Sequence, residues 1–102
     1  MGYKQFPVVA RMFHGLLSEH RFRIRRLPLR PDLHGDCCFH RNLFHIRINR
    51  SLDEEMAIDT LLHELAHMIA WERDSDEHGL EWGKAYSRIY RLFLTNYLQK
   101  GS

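Results

Sequence analysis

Cysteine is nearly absent from this chain, and the two that occur, Cys37 and Cys38, are neighbours. Adjacent cysteines close no loop, which excludes a disulfide framework, and they form no Cys-x-x-Cys knuckle for a structural metal. Buried or semi-buried free thiols are expected instead. Proline is scarce too, at three residues in 102, and no Gly/Ser-rich or low-complexity stretch or internal repeat interrupts the chain. A single domain over 1–102 with one modest core is the expectation. No apolar run approaches the ~18 residues a membrane-spanning helix needs, and Met1-Gly2-Tyr3-Lys4-Gln5 begins no signal-peptide pattern.

What charge there is divides unevenly. The formal net charge is +2, yet residues 1–50 carry ten Lys and Arg against three acids, a net +7. Residues 51–102 carry five against ten, a net −5. A basic half opposite an acidic half points to an anion-facing surface, with nucleic acid as one partner class.

Apolar residues at Phe6, Val9, Phe13, Leu16 and Leu17 recur at helical spacing and predict an amphipathic helix from Phe6 to about His20. The period then drops to two. In Arg21-Phe22-Arg23-Ile24-Arg25 a strand would put the three arginines on one face and Phe22 and Ile24 on the other. Pro28 and Pro31 end it, and a turn follows over Asp32–Asp36. Cys37-Cys38-Phe39 and Leu43–Ile48 read as paired strands across His40-Arg41-Asn42, with Phe44, Ile46 and Ile48 toward the core. Ser51-Leu52-Asp53-Glu54 has the form of a capping box and predicts a helix start at Ser51. That helix, with a stripe of Leu61, Leu62, Leu65, Met68 and Ile69, decays near Glu72 before the polar loop Asp74–Glu77. A last helix is expected from about Leu80 to Tyr97, with Trp82, Ala85, Ile89, Leu92 and Phe93 toward the core.

The helix after the capping box carries His63-Glu64-Leu65-Ala66-His67, the H-E-x-x-H arrangement. Residues i and i+4 share a helical face, so His63 and His67 can converge on one cation, and Glu64, rotated by about 100°, reaches the water beside it. A catalytic zinc requires a third protein ligand and an open fourth position. His78, eleven residues after His67 and followed by Gly79, is the first candidate, because glycine can adopt backbone angles barred to other residues. Glu81 is its rival. Asp59, one turn before His63, is a candidate partner for a ligand ring. Tyr86, Tyr90, His45 and Arg47 are candidate donors to an oxyanion, with His45 and Arg47 lining the substrate channel if their strand borders it. His14, His20, His34 and His40 are expected to be ordinary surface or hydrogen-bonded residues.

The assembled residues resemble the SprT-like (Spartan-type) zinc metalloprotease domain family. The resemblance runs from Gly35-Asp36-Cys37 through Ile46-Arg47-Ile48-Asn49 and Asp59–His67 to His78-Gly79-Leu80-Glu81-Trp82, with His-Gly-x-x-aromatic its most specific part. It implies an α+β, zincin-like fold: an N-terminal helix, a small three-stranded antiparallel or mixed sheet, the metal helix and a C-terminal helix. It implies one Zn²⁺ per chain on His63, His67 and His78, with Glu64 catalytic. For Spartan-type members it further implies a DNA-associated protease that degrades proteins crosslinked to DNA. With no signal or membrane-span pattern in the sequence, an intracellular location, cytoplasmic or at the nucleoid or nucleus, is expected. Compared with larger relatives the stretch between His67 and His78 is short, and no cysteine-rich ribbon is expected after the last helix. Arg21, Arg23 and Arg25 are then the residues expected to meet DNA phosphates. A non-catalytic, zinc-stabilised nucleic-acid-binding module is the alternative.

Overall fold

A computed structural model describes residues 5–72 and 78–98. The order is α1 (Phe6–Leu16), β1 (Phe22–Leu27), β2 (Gly35–His40), β3 (Leu43–Asn49), α2 (Glu54–Ile69) and α3 (Leu80–Phe93), the last widening into a π-helical turn over Leu94–Leu98. The polar loop read at Asp74–Glu77 lies outside the described residues. The architecture is α+β with a mixed three-stranded sheet, as the sequence implied. None of the described helices is long and apolar enough to cross a membrane.

The sheet order is β1-β3-β2: β1 runs parallel to β3, and β2 runs antiparallel to it. The β2–β3 hairpin turns on Arg41 and Asn42 alone, at φ 54° and 62°. Two consecutive left-handed residues are what a two-residue hairpin of this hand requires, so both strands run closer to the tip than the sequence suggested. Strand β1 likewise reaches Leu27, and Pro28 stops it.

One sheet face is covered by helices. Phe22, Ile46 and Ile48 are buried there, with Ile24 and Phe44 partly so, against α2 residues Ile58, Leu61, Leu62, Leu65 and Met68. Each such side chain contributes roughly 1.5–3 kcal/mol relative to exposure, so packing alone fixes the rotation of α2 about its axis. Helix α1 adds Val9, Phe13 and the residue just past its end, Leu17. It stops at Leu16, short of His20, and the turn that follows, with His20 N–H donating to the Leu17 carbonyl, leaves Leu17 in the core.

The start of α2 departs from the capping-box reading. The cap is Asp53, whose Oδ1 accepts from the Met56 N–H at 2.8 Å. Ser51 instead bonds Asn49 Oδ1 through both N–H and hydroxyl at 3.1 Å. Glu54 is drawn elsewhere: its carboxylate accepts from the Phe6 N–H at 2.8 Å, at the head of α1, and pairs with Arg26 at 3.4 Å. Arg26 also donates to the Leu52 and Arg50 carbonyls, at 2.6 and 3.2 Å, and lies 5.0 Å from the centre of the Phe6 ring. Asn49, buried, donates to the Arg30 and Leu33 carbonyls at 3.1 and 2.8 Å and so holds the segment leading into β2.

Candidate metal centre and cleft

The exposed side of α2 faces an open cleft of about 1100 Å³. Its walls are β2 with the segment before it (Asp32 to Cys37), α2 (Met56, Asp59, Thr60, His63, Glu64, His67), Trp71 and the first turns of α3 (Trp82, Tyr86, Tyr90). The close approach of β2 to α2 depends on Gly35. A Cβ there would stand 2.6 Å from the Arg47 carbonyl oxygen and 2.8 Å from Thr60 Cγ2, closer than real contacts allow.

At the cleft floor His63 and His67 project from successive turns of α2, and His78 turns back to meet them from the head of α3. His63 Nε2 lies 3.1 Å from His67 Nε2 and 3.0 Å from His78 Nε2. One ligand atom from each of the three lies within 4.8 Å of the others. Two imidazole nitrogens bound tetrahedrally to one zinc at 2.0–2.1 Å stand roughly 3.3 Å apart, so the triad fits such an ion. The chemistry agrees with the geometry. Three ring nitrogens converging at this range are drawn together far better by one cation than by the single proton that two of them can share. Glu81, the rival ligand, is not part of this converging group and pairs with Lys84 at 3.7 Å.

Glu64 is buried between these histidines in sequence and lines the cleft. Cys37 lies near it: burial first, then the Glu64 charge, pushes this thiol up to about 12, so it stays protonated. Cys38, one residue on, is exposed, because a strand turns successive side chains to opposite faces. Asp59 is exposed on the cleft side near Tyr86. Burial, and then the Asp59 charge, raises the Tyr86 hydroxyl above the ordinary tyrosine range. Tyr86 is therefore a neutral donor across physiological pH.

Several expectations need correcting. His45 and Arg47 do not line the cleft: β2 lies between β3 and the cleft, and in the β2–β3 register Arg47 stands opposite Asp36 and His45 opposite Cys38. Arg47 forms a two-pronged ion pair with Asp36, with Nε 2.8 Å from Oδ1. Gly79 adopts φ −79°, ψ −166°, which other residues reach as well, and serves as the residue before α3. Trp82, half-buried, packs against the small core of Ala66, Ala70 and Ala85 as expected, and its ring also meets those of the histidines. His34, expected to be an ordinary surface residue, and Trp71, given no role by the sequence, both line the cleft; knowing that β2 borders it would have found the first, and following α2 past its end the second.

An α+β scaffold with an H-E-x-x-H helix, a third histidine just ahead of the following helix and a cleft beside an edge strand defines a zincin-like class of domain. The profile of the SprT-like family matches residues 8–100, and the chain belongs to that family. A comparison with curated proteins finds no match.

Proposed function

We propose that this chain is a zinc-dependent metallopeptidase. The observation that carries the reading is the convergence of His63, His67 and His78 beside the buried carboxylate of Glu64 at the floor of an open cleft. Zinc held by the three imidazoles would supply Lewis acidity, polarising a scissile carbonyl and lowering the pKa of water toward about 7. Glu64 takes the proton of the attacking water and returns it to the leaving amine, acting as base and then as acid. Tyr86, protonated and on the cleft wall, is our candidate for the hydrogen-bond donor to the oxyanion. Strand β2 pairs with β3 along one edge only among the described residues, and the other edge borders the cleft. An extended peptide adding to that edge would cross the metal centre.

Glu64→Gln tests the assignment. The variant is expected to bind one zinc per chain and gain the same thermal stability from it as the parent, while peptide cleavage falls by several orders of magnitude. Retained cleavage would falsify the role of Glu64. A non-catalytic metal module instead predicts no cleavage by the parent either, in any metal state.

Association with DNA is the second part of the proposal, with proteins crosslinked to DNA as the substrate class. It rests on family membership and on the exposure of Arg21, Arg23 and Arg25. Arg23 and Arg25 stand opposite His45 and Arg47 on the sheet face away from α2, which leaves the cleft free for a protein chain.

A further inference from the structure

The third histidine is the weakest point of the metal centre. His63 and His67 are fixed by a helix packed on several sides, but His78 is exposed and stands just ahead of α3. Among the described residues, the aromatic rings that meet it are those of its fellow ligands and of Trp82. Trp82 touches all three imidazoles: its ring centre lies 4.9 Å from that of His78, edge-on at 84°, 5.0 Å from His63 and 5.7 Å from His67. Its indole N–H points to the His63 carbonyl at 3.4 Å, tying the first turn of α3 to the metal helix. The indole is itself held in place, stacked on Tyr86 at 5.1 Å and 16°, with Tyr86 stacked in turn on Tyr90 at 6.1 Å.

From this we infer that Trp82 is a positioning residue for the metal ligands, acting chiefly through His78, and that metal affinity depends on it separately from fold stability. The reason is local. His78 stands just ahead of α3 and Trp82 lies in its first turn, so the indole meets the imidazole edge-on and limits the rotamers open to it before a cation arrives. A ligand already in its binding conformation loses less freedom on coordination. Partners that orient a ligating histidine commonly change metal affinity by about 10–100-fold when removed, and Trp82 fills that place here with ring contacts instead of a carboxylate.

The inference rests on the metal-centre reading, and the experiment separates the two. Zinc affinity is measured by competition with a chromophoric chelator for the parent, Trp82→Ala, Trp82→Phe, His78→Ala and the His78→Ala/Trp82→Ala double variant, with apo-protein melting followed in parallel. Trp82→Ala is expected to weaken zinc by about 10–100-fold, and Trp82→Phe, which keeps a ring but loses the N–H, by less. The double variant should bind no more than about twofold more weakly than His78→Ala alone, because a residue acting through a ligand has nothing left to position once that ligand is gone. Phe93→Leu, farther along the same helix and buried, should lower the melting temperature and leave zinc affinity unchanged. If Trp82→Ala does not fold, Trp82→Phe and Trp82→Leu carry the comparison. Zinc affinity within twofold of the parent in the folded Trp82 variants, or a loss that adds in full to that of His78→Ala, overturns the positioning role. A parent chain that binds no zinc overturns the metal centre itself.

Discussion

Cys37 and Cys38 are the same side chain one residue apart, and the alternation of β2 gives them opposite chemistry. Cys38 is exposed, whereas Cys37 is half-buried beside Glu64 with its thiol pushed up to about 12. Thiolate is the reactive form, so at pH 8 iodoacetamide should label Cys38 and spare Cys37 until the chain is unfolded. Peptide mapping of the labelled protein checks this, and equal labelling of the two would show that Cys37 does not face the helix. A pH dependence follows as well. The folded thiol titrates above its unfolded value of about 8.5, so its favourable contribution is complete below that pH and is lost as pH rises toward about 12. Denaturant midpoints of the parent and Cys37→Ala should therefore diverge progressively above pH 9, with the parent losing more; a constant difference across that window contradicts the shift.

At the level of elements, the segment from β3 to α2 shows what a string of residues can and cannot specify. The existence of α2 and the common face of His63 and His67 were legible because they depend on the 3.6-residue period alone, although the helix ends at Ile69, short of Glu72. The start of α2 was not. Ser51-x-x-Glu54 has the form of a cap, but Glu54 is claimed by a backbone N–H 48 residues away, at Phe6, and Ser51 by Asn49, which leaves Asp53 to cap the helix. The parallel pairing of β1 with β3 was equally hidden, since nothing local distinguishes it from an antiparallel partner. The choice of His78 over Glu81 depended on how the chain re-enters after α2, which spacing leaves open. This hierarchy of bonds predicts a hierarchy of stability losses. Asp53→Ala removes one cap and should cost about 1 kcal/mol. Asn49→Ala strips partners from the Arg30 and Leu33 carbonyls and the Ser51 N–H, and should cost about 2–3 kcal/mol. Asn49→Ala should also raise KM, because the 30–34 segment it anchors forms a cleft wall, whereas Asp53→Ala should leave KM unchanged. Urea unfolding and steady-state kinetics on the two variants check the order, and an equal cost for both would mean that Asn49 is not the anchor.

Across the whole molecule, the division of charge between the two halves of the chain becomes a division between two faces. The acidic half supplies α2 and α3 with Glu64 and Asp59 on the cleft, while Arg23 and Arg25 lie on the sheet face opposite α2, with Arg21 exposed just before the same strand. If those three arginines bind phosphates, each releases condensed counterions, and the logarithm of the duplex-binding constant should fall with the logarithm of salt at a slope of about −2.7, or −0.9 per contact. Replacing one of them by Gln should make the slope shallower by about 0.9, with little dependence on DNA sequence, since phosphate contacts carry no base information. Arg47 offers an internal control, because its guanidinium is already engaged by Asp36 on the same face: Arg47→Gln should change the slope far less than Arg23→Gln. Cleavage of a short peptide should be unaffected by Arg23→Gln, since the strand that carries it is separated from the cleft by β3 and β2. A slope near zero in the parent, or one unmoved by the arginine replacements, would take DNA off this face while leaving the peptidase reading intact.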